Sequence, residues 1–199
     1  MPVYIIADNI VSPLGDTTEA NLEAISSGTS GISRVSDKEN ATSSYYGAKF
    51  KESIPNIENH TRLESLFIHS INQVLNQVKI KLEQTLFVLS STKGNIDCLT
   101  KESTDHVSLV DLAVAIQNHY QLPNRPILVS NACISGVSAM LVAKKMLEMG
   151  KFKQAIVSGG DLLSQFTLSG FNCLQAVSDE PCKPYDKTRD GITLGEGVG

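Results

Sequence analysis

Cys133 stands where a short apolar run breaks off abruptly. The stretch Ile127-Leu128-Val129-Ser130-Asn131-Ala132-Cys133-Ile134-Ser135-Gly136 opens as a β-branched strand and turns at Asn-Ala-Cys, and apolar residues then recur at helical spacing from Ile134 to Met149. The cysteine therefore falls at a strand-to-helix corner. The first helical turn leaves backbone N–H groups without intrahelical partners and carries about half a positive charge, which favours a thiolate, the nucleophilic form of cysteine. Ser135 and Gly136 keep that turn small, so a carbonyl could approach the sulfur and nearby N–H groups could hold a developing oxyanion. On its own this signal is modest, because a free cysteine is more often a small buried residue than a nucleophile.

The elements that would position the corner are legible in the order of the chain. Val3 to Val11 reads as a buried strand ending at Ser12-Pro13-Leu14-Gly15. A short helix follows, capped by Asp16 or Thr17, with Leu22 and Ile25 on one side and Gly28 as its stop. Residues 29–59 are polar, with one strand suggested at Tyr45 to Phe50. Leu63, Leu66, Phe67, Ile71, Val74, Leu75 and Val78 then share one helical stripe, with Arg62, Glu64 and Asn72 on the opposite side. Thr85 to Ser90 supplies a strand, Leu109 to Tyr120 a helix, and Pro126 to Ser130 the strand that leads to the cysteine. Beyond Cys133 the helix carries Val137, Met140, Leu141, Ala143 and Leu147, with Ala139 and Val142 around its other sides, and is expected to be covered more fully than the earlier helices. Gln154 to Ser158 reads as a strand, Gly159-Gly160-Asp161 as a tight turn, 162–177 as a mixed segment, and 190–199 as a loop running into a final strand. Strands alternating with helices imply an α/β fold with a parallel sheet, and ligands at the carboxyl ends of its strands, where Cys133 lies.

Composition narrows the function classes. A net charge of −4 without a basic block argues against nucleic acid and anionic membranes as partners. No basic start or long apolar run marks a signal peptide or a membrane span, so the expectation is a soluble cytoplasmic protein. The four cysteines, Cys98, Cys133, Cys173 and Cys182, lack metal-type spacing and are expected to be reduced thiols.

Four ordered segments go beyond a generic α/β reading. Val129 to Gly136 resembles the nucleophile corner of β-ketoacyl-acyl carrier protein synthases. Pro184-Tyr185-Asp186-Lys187-Thr188-Arg189-Asp190-Gly191-Ile192-Thr193-Leu194-Gly195-Glu196-Gly197 resembles that family's later P-F-D-x-x-R-x-G-F-x-x-G-E-G segment. Ile156 to Asp161 is similar to its strand and double glycine, and Ile10 to Gly15 to its opening.

The resemblance implies a thiolase-like α/β fold, of which residues 1–199 form the amino-terminal half: one mostly parallel, five-stranded βα layer of an αβαβα sandwich. It implies an acyltransferase in which Cys133 accepts the acyl group and its own N–H joins the oxyanion hole. Decarboxylative condensation with malonyl-carrier protein would follow, in fatty acid, polyketide or pigment synthesis. Substrates would ride on the phosphopantetheine arm of acyl carrier protein, with no further cofactor and no metal, and the chain would form a homodimer or a heterodimer with a related subunit. The family's catalytic His pair and Lys belong to a carboxyl-terminal half outside these residues, so this chain alone is expected not to condense, and an apolar face is expected to lie uncovered. Asn131 stands where many members have Thr, and Ile192 where they have an aromatic. His60, His69, His106 and His119 match no catalytic position and read as structural, as do the other three cysteines and Glu196, while Asp186 and Arg189 are expected to pair and fix their loop. Two other readings compete: a non-condensing chain-length-factor partner, which characteristically lacks the nucleophile, and a CoA-dependent thiolase relative.

Overall fold

The computed structural model describes residues 2–36, 44–50, 56–99 and 103–199. In chain order the elements are α1 (Thr18–Ser26), β1 (Ile32–Ser36), β2 (Ser44–Ala48), α2 (Arg62–Gln77), β3 (Thr85–Ser90), α3 (Leu109–His119), β4 (Ile127–Val129), α4 (Ser135–Glu148), β5 (Gln154–Asp161), α5 (Gln165–Cys173), β6 (Leu194–Gly195) and β7 (Gly197–Val198).

The main sheet runs β4-β3-β5-β7. β3 pairs parallel with both β4 and β5 and β7 is antiparallel to β5, so the sheet has four strands among the described residues rather than the five expected, and Val11 meets Val198 only through an isolated bridge. β3 is buried at all six residues because both of its faces are covered. Phe87 and Leu89 pack with Leu66, Phe67 and Ile71 of α2 and Ile116 of α3, whereas Leu86 and Val88 pack with Ala139 and Ala143 of α4. Each large apolar side chain so buried contributes about 1.5–3 kcal/mol. β1, β2 and β6 form a second, smaller sheet.

Helix starts are set by side chains. Thr61 and Glu64 form a reciprocal capping box at α2, as do Ser108 and Asp111 at α3. Glu64, placed by periodicity on the solvent side, is instead buried, because its carboxylate also accepts from Asn95 Nδ2 at 2.8 Å. α3 ends at His119, whose Nδ1 lies 3.2 Å from His60 Nε2. Burial, and then the neighbouring His60, lower the His119 pKa. The unfolded chain therefore binds more protons, so stability falls as pH drops below about 6.5 and levels off below the depressed folded-state value. His119→Gln is expected to flatten that slope, as urea titrations across this range would show.

Other expectations are corrected as well. Residues 3–10 do not form a buried strand: Tyr4, Ile5 and Ile6 are exposed, and only Val11 meets a ladder partner among the described residues. The Leu22 and Ile25 face of α1 is exposed as well, and the helix is instead anchored by buried Asn21, whose Nδ2 donates to the carbonyls of Ile10, Gly15 and Thr17.

α4 is not the most fully covered helix. It buries Ser135, Ala139 and Ala143, while Val137, Met140 and Leu141 are 55–61% exposed, because no described element lies on its far side. Finally, Gly159-Gly160-Asp161 is no turn but the end of β5. A Cβ on Gly160 would meet the β7 backbone at Gly197 and Val198, so the glycine serves strand contact. Of the polar stretch 29–59, residues 37–43 and 51–55 lie outside the described residues, and the strand expected at 45–50 is β2. Among the described residues, no helix is long and apolar enough to cross a membrane.

Candidate active site

β4 ends at Val129, in register with Ser90 of β3, and four residues later the chain presents Cys133 at the surface. The corner is tight. Ala132 takes φ +47°, a left-handed conformation that costs a non-glycine residue about 1–2 kcal/mol, and strain of this kind concentrates where a side chain must be aimed. The turn is closed by Ile134 N donating to the Asn131 carbonyl and Ser135 N to the Ala132 carbonyl, both at 3.2 Å. Ser135, buried at the first position of α4, ties the corner again through its hydroxyl: Oγ accepts from Asn131 N at 2.8 Å and donates to the Ala132 carbonyl at 2.7 Å. Asn131 Nδ2 reaches Ser138 Oγ at 3.3 Å.

No side chain caps α4, and the Cys133 N–H donates to no acceptor among the described residues. A thiol and an unengaged N–H thus stand together at the positive end of a 14-residue helix. That arrangement suits attack on a carbonyl whose oxygen gathers negative charge. Of the other cysteines, Cys98 and Cys182 are part-buried and the Cys98 thiol is pushed up by burial and then by Asp97. Cys173 is exposed but ends α5, where the helix carries negative partial charge.

The carboxyl ends of the neighbouring strands are held by a device that the sequence did not reveal. Asp161, at the end of β5, accepts from Ser91 Oγ at 2.7 Å and from Thr92 N at 3.0 Å, which locks the exit of β3 to β5. Asp161 follows the double glycine directly, and that adjacency was the available signal.

Glu196, read as structural, is held by three partners. Its side chain is fully buried, ion-paired with Arg62 Nη2 at 2.7 Å, and accepts from Phe50 N at 2.8 Å and Leu163 N at 3.2 Å. Asp186 and Arg189, by contrast, do not make the expected carboxylate–guanidinium pair. Both are exposed: Asp186 accepts from Thr188 N and Oγ1, which hold its carboxyl below the usual range, and Arg189 Nη1 donates to the Asp186 backbone carbonyl. A three-residue turn satisfies each locally, so neither needs the other's charge. Gly191 lies where any Cβ would stand 2.7 Å from Ser178 N, the close approach that lets Val177 and Ile192 bridge. A cleft of about 710 Å³ between α1 and α2 does not include Cys133.

Residues 111–199 match the family model described as beta-ketoacyl synthase, N-terminal domain. The chain is similar to 3-oxoacyl-[acyl-carrier-protein] synthase 2 of Vibrio cholerae, 24% identical over 99% of this chain and 56% of that one. The Vibrio harveyi protein of the same name is 33% identical over 47% of this chain and 24% of its own. Among solved structures, a ketosynthase in complex with its chain length factor from Xenorhabdus doucetiae superposes with a TM-score of 0.86 at 22% identity, covering 98% of this chain and 56% of that one. A beta-ketoacyl synthase from Burkholderia phymatum STM815 gives 0.79 at 19% identity over 97% and 57%. The chain spans about half the length of these relatives.

These likenesses, with the parallel strands, the helices on both faces and the cysteine corner, give the chain the α/β fold of those solved ketosynthase structures. By sequence the likeness to the beta-ketoacyl synthase N-terminal domain covers residues 111–199.

Proposed function

We propose that this chain carries the nucleophile of a 3-oxoacyl-[acyl-carrier-protein] synthase, and that Cys133 is the acyl-accepting residue. The observation that carries the reading is the corner itself: an exposed thiol and its own unengaged N–H at the start of α4, in the segment that matches the family. The thiolate attacks the carbonyl carbon of an acyl thioester, the oxygen takes up negative charge facing the Cys133 N–H, and collapse expels the carrier thiolate to leave an acyl-enzyme. Condensation follows when decarboxylation of a malonyl unit supplies a carbanion that attacks the acyl-enzyme. The family resemblance assigns that second stage to histidines and a lysine outside these residues.

The proposed substrates are carried on the phosphopantetheine arm of acyl carrier protein, and the reading calls for no other cofactor. It places the protein in the cytoplasm, as a dimer with itself or with a related subunit. Support for the partners comes from two similar solved complexes: the Xenorhabdus doucetiae ketosynthase with its chain length factor, and a type II polyketide synthase acyl-carrier protein with its ketosynthase. The presence of Cys133 favours the condensing subunit over a chain-length-factor partner, which characteristically lacks the nucleophile.

Matched carrier-linked and CoA-linked acyl donors test the assignment. Transfer to the full-length protein is expected to be at least about tenfold faster from the carrier thioester, the added carrier contacts being worth roughly 1.4 kcal/mol or more in the transition state. Preference for the CoA donor would move the protein to the thiolase relatives.

A further inference from the structure

The peptide unit between Ala132 and Cys133 couples the closure of the corner to the direction of the oxyanion donor. Its carbonyl belongs to Ala132 and its N–H to Cys133, and in a planar trans peptide the two point in opposite directions. Whatever fixes the Ala132 carbonyl therefore fixes the direction of the Cys133 N–H. That carbonyl is held by Ser135 twice, from the backbone N at 3.2 Å and from Oγ at 2.7 Å, while the same Oγ receives Asn131 N at 2.8 Å. Ser135 is 5% exposed, so water is poorly placed to replace the hydroxyl. Ala132 is meanwhile kept at φ +47°, from which it would gain by relaxing to the ordinary right-handed region.

We infer that Ser135 is the positioning residue for the oxyanion donor: its hydroxyl locks the Ala132–Cys133 peptide so that the Cys133 N–H faces the carbonyl oxygen of the bound thioester. This rests on the assignment of Cys133 as acyl acceptor. A residue that merely completed the helix start would bond forward into α4; this one bonds back across the turn to both sides of the corner.

The test separates oxyanion chemistry from thiol chemistry at one sulfur. Acyl transfer passes through an oxyanion, whereas alkylation by iodoacetamide is a direct displacement of iodide that creates none. In full-length Ser135→Ala, acylation of Cys133 from the carrier thioester is expected to slow by roughly 10- to 100-fold at saturating donor, with KM within about threefold of wild type. Alkylation of the Cys133 peptide is expected to stay within about threefold, and Ser135→Thr, which retains the hydroxyl, to recover most of the acylation rate. If Ser135→Ala does not fold, Ser135→Cys, nearly the same size but a weak donor, is read in the same way. Equal slowing of acylation and alkylation, or no slowing of either, would overturn the inference. Absence of acylation in the wild-type protein would instead overturn the assignment of Cys133 itself.

Discussion

Replacing Cys133 by alanine is expected to reduce acyl transfer from a carrier-linked thioester by roughly three orders of magnitude or more, because the covalent route then has no sulfur to receive the acyl group. The fold should be indifferent to the change. The side chain is exposed, its sulfur bonds to nothing among the described residues, and the corner is closed through Asn131, Ala132, Ile134 and Ser135 rather than through the thiol. Thermal midpoints of wild type and Cys133→Ala are therefore expected to agree within a few degrees while activity disappears. The exposed Cys173 supplies the control: Cys173→Ala should leave transfer unchanged. Acylation retained at the wild-type rate in Cys133→Ala would remove the nucleophile from this account.

Glu196→Ala is expected to have the largest effect on stability, about 3–5 kcal/mol. The carboxylate joins three parts of the chain: Arg62 at the start of α2, Phe50 just beyond β2, and Leu163 just beyond β5. Its loss leaves the Phe50 and Leu163 N–H groups without their acceptor and opens a cavity where the side chain was fully enclosed. Arg62 is 38% exposed, so its guanidinium can turn to water, and the cost arises chiefly from the two backbone donors and the lost packing. A domain of this size would lose roughly 10 °C in Tm. Glu196→Gln keeps the shape and one carbonyl acceptor and should fall between wild type and Glu196→Ala. Calorimetry of the three proteins checks the order, and a Glu196→Ala midpoint within 2 °C of wild type would contradict the structural role assigned here.

Much of this is legible in the amino-acid sequence alone. The α2 stripe, the apolar run Leu86 to Leu89 of β3 and the strand-to-helix corner at Cys133 all carry patterns that local sterics and burial enforce, and they stand where the sequence placed them. What escaped were features set by partners distant in the chain. Glu64 is polar and sits on the periodic outer face, yet Asn95, 31 residues later, draws it inward. Val3 to Ile10 has the composition of a strand, but a strand needs a ladder partner, and the described residues provide one only for Val11. The double glycine reads locally as a turn, whereas its reason is the β7 backbone passing against Gly160. The α4 pattern shows apolar residues on several faces, and periodicity cannot say which of them a neighbouring element will cover. At the site itself the cysteine was legible but its support was not, since the Ser135 clamp depends on Ala132 adopting a positive φ that no alanine advertises.

The central claim is an acyl-enzyme at Cys133. Intact-mass measurement of the full-length protein after incubation with an acyl-carrier thioester, followed by peptide mapping, tests it most directly. The account predicts a single added acyl group, mapped to the peptide containing Cys133 and absent from Cys133→Ala. A well-folded protein that gains no acyl group across several chain lengths, or gains one on a different residue, would contradict it, and the first of those outcomes would favour a non-condensing partner subunit.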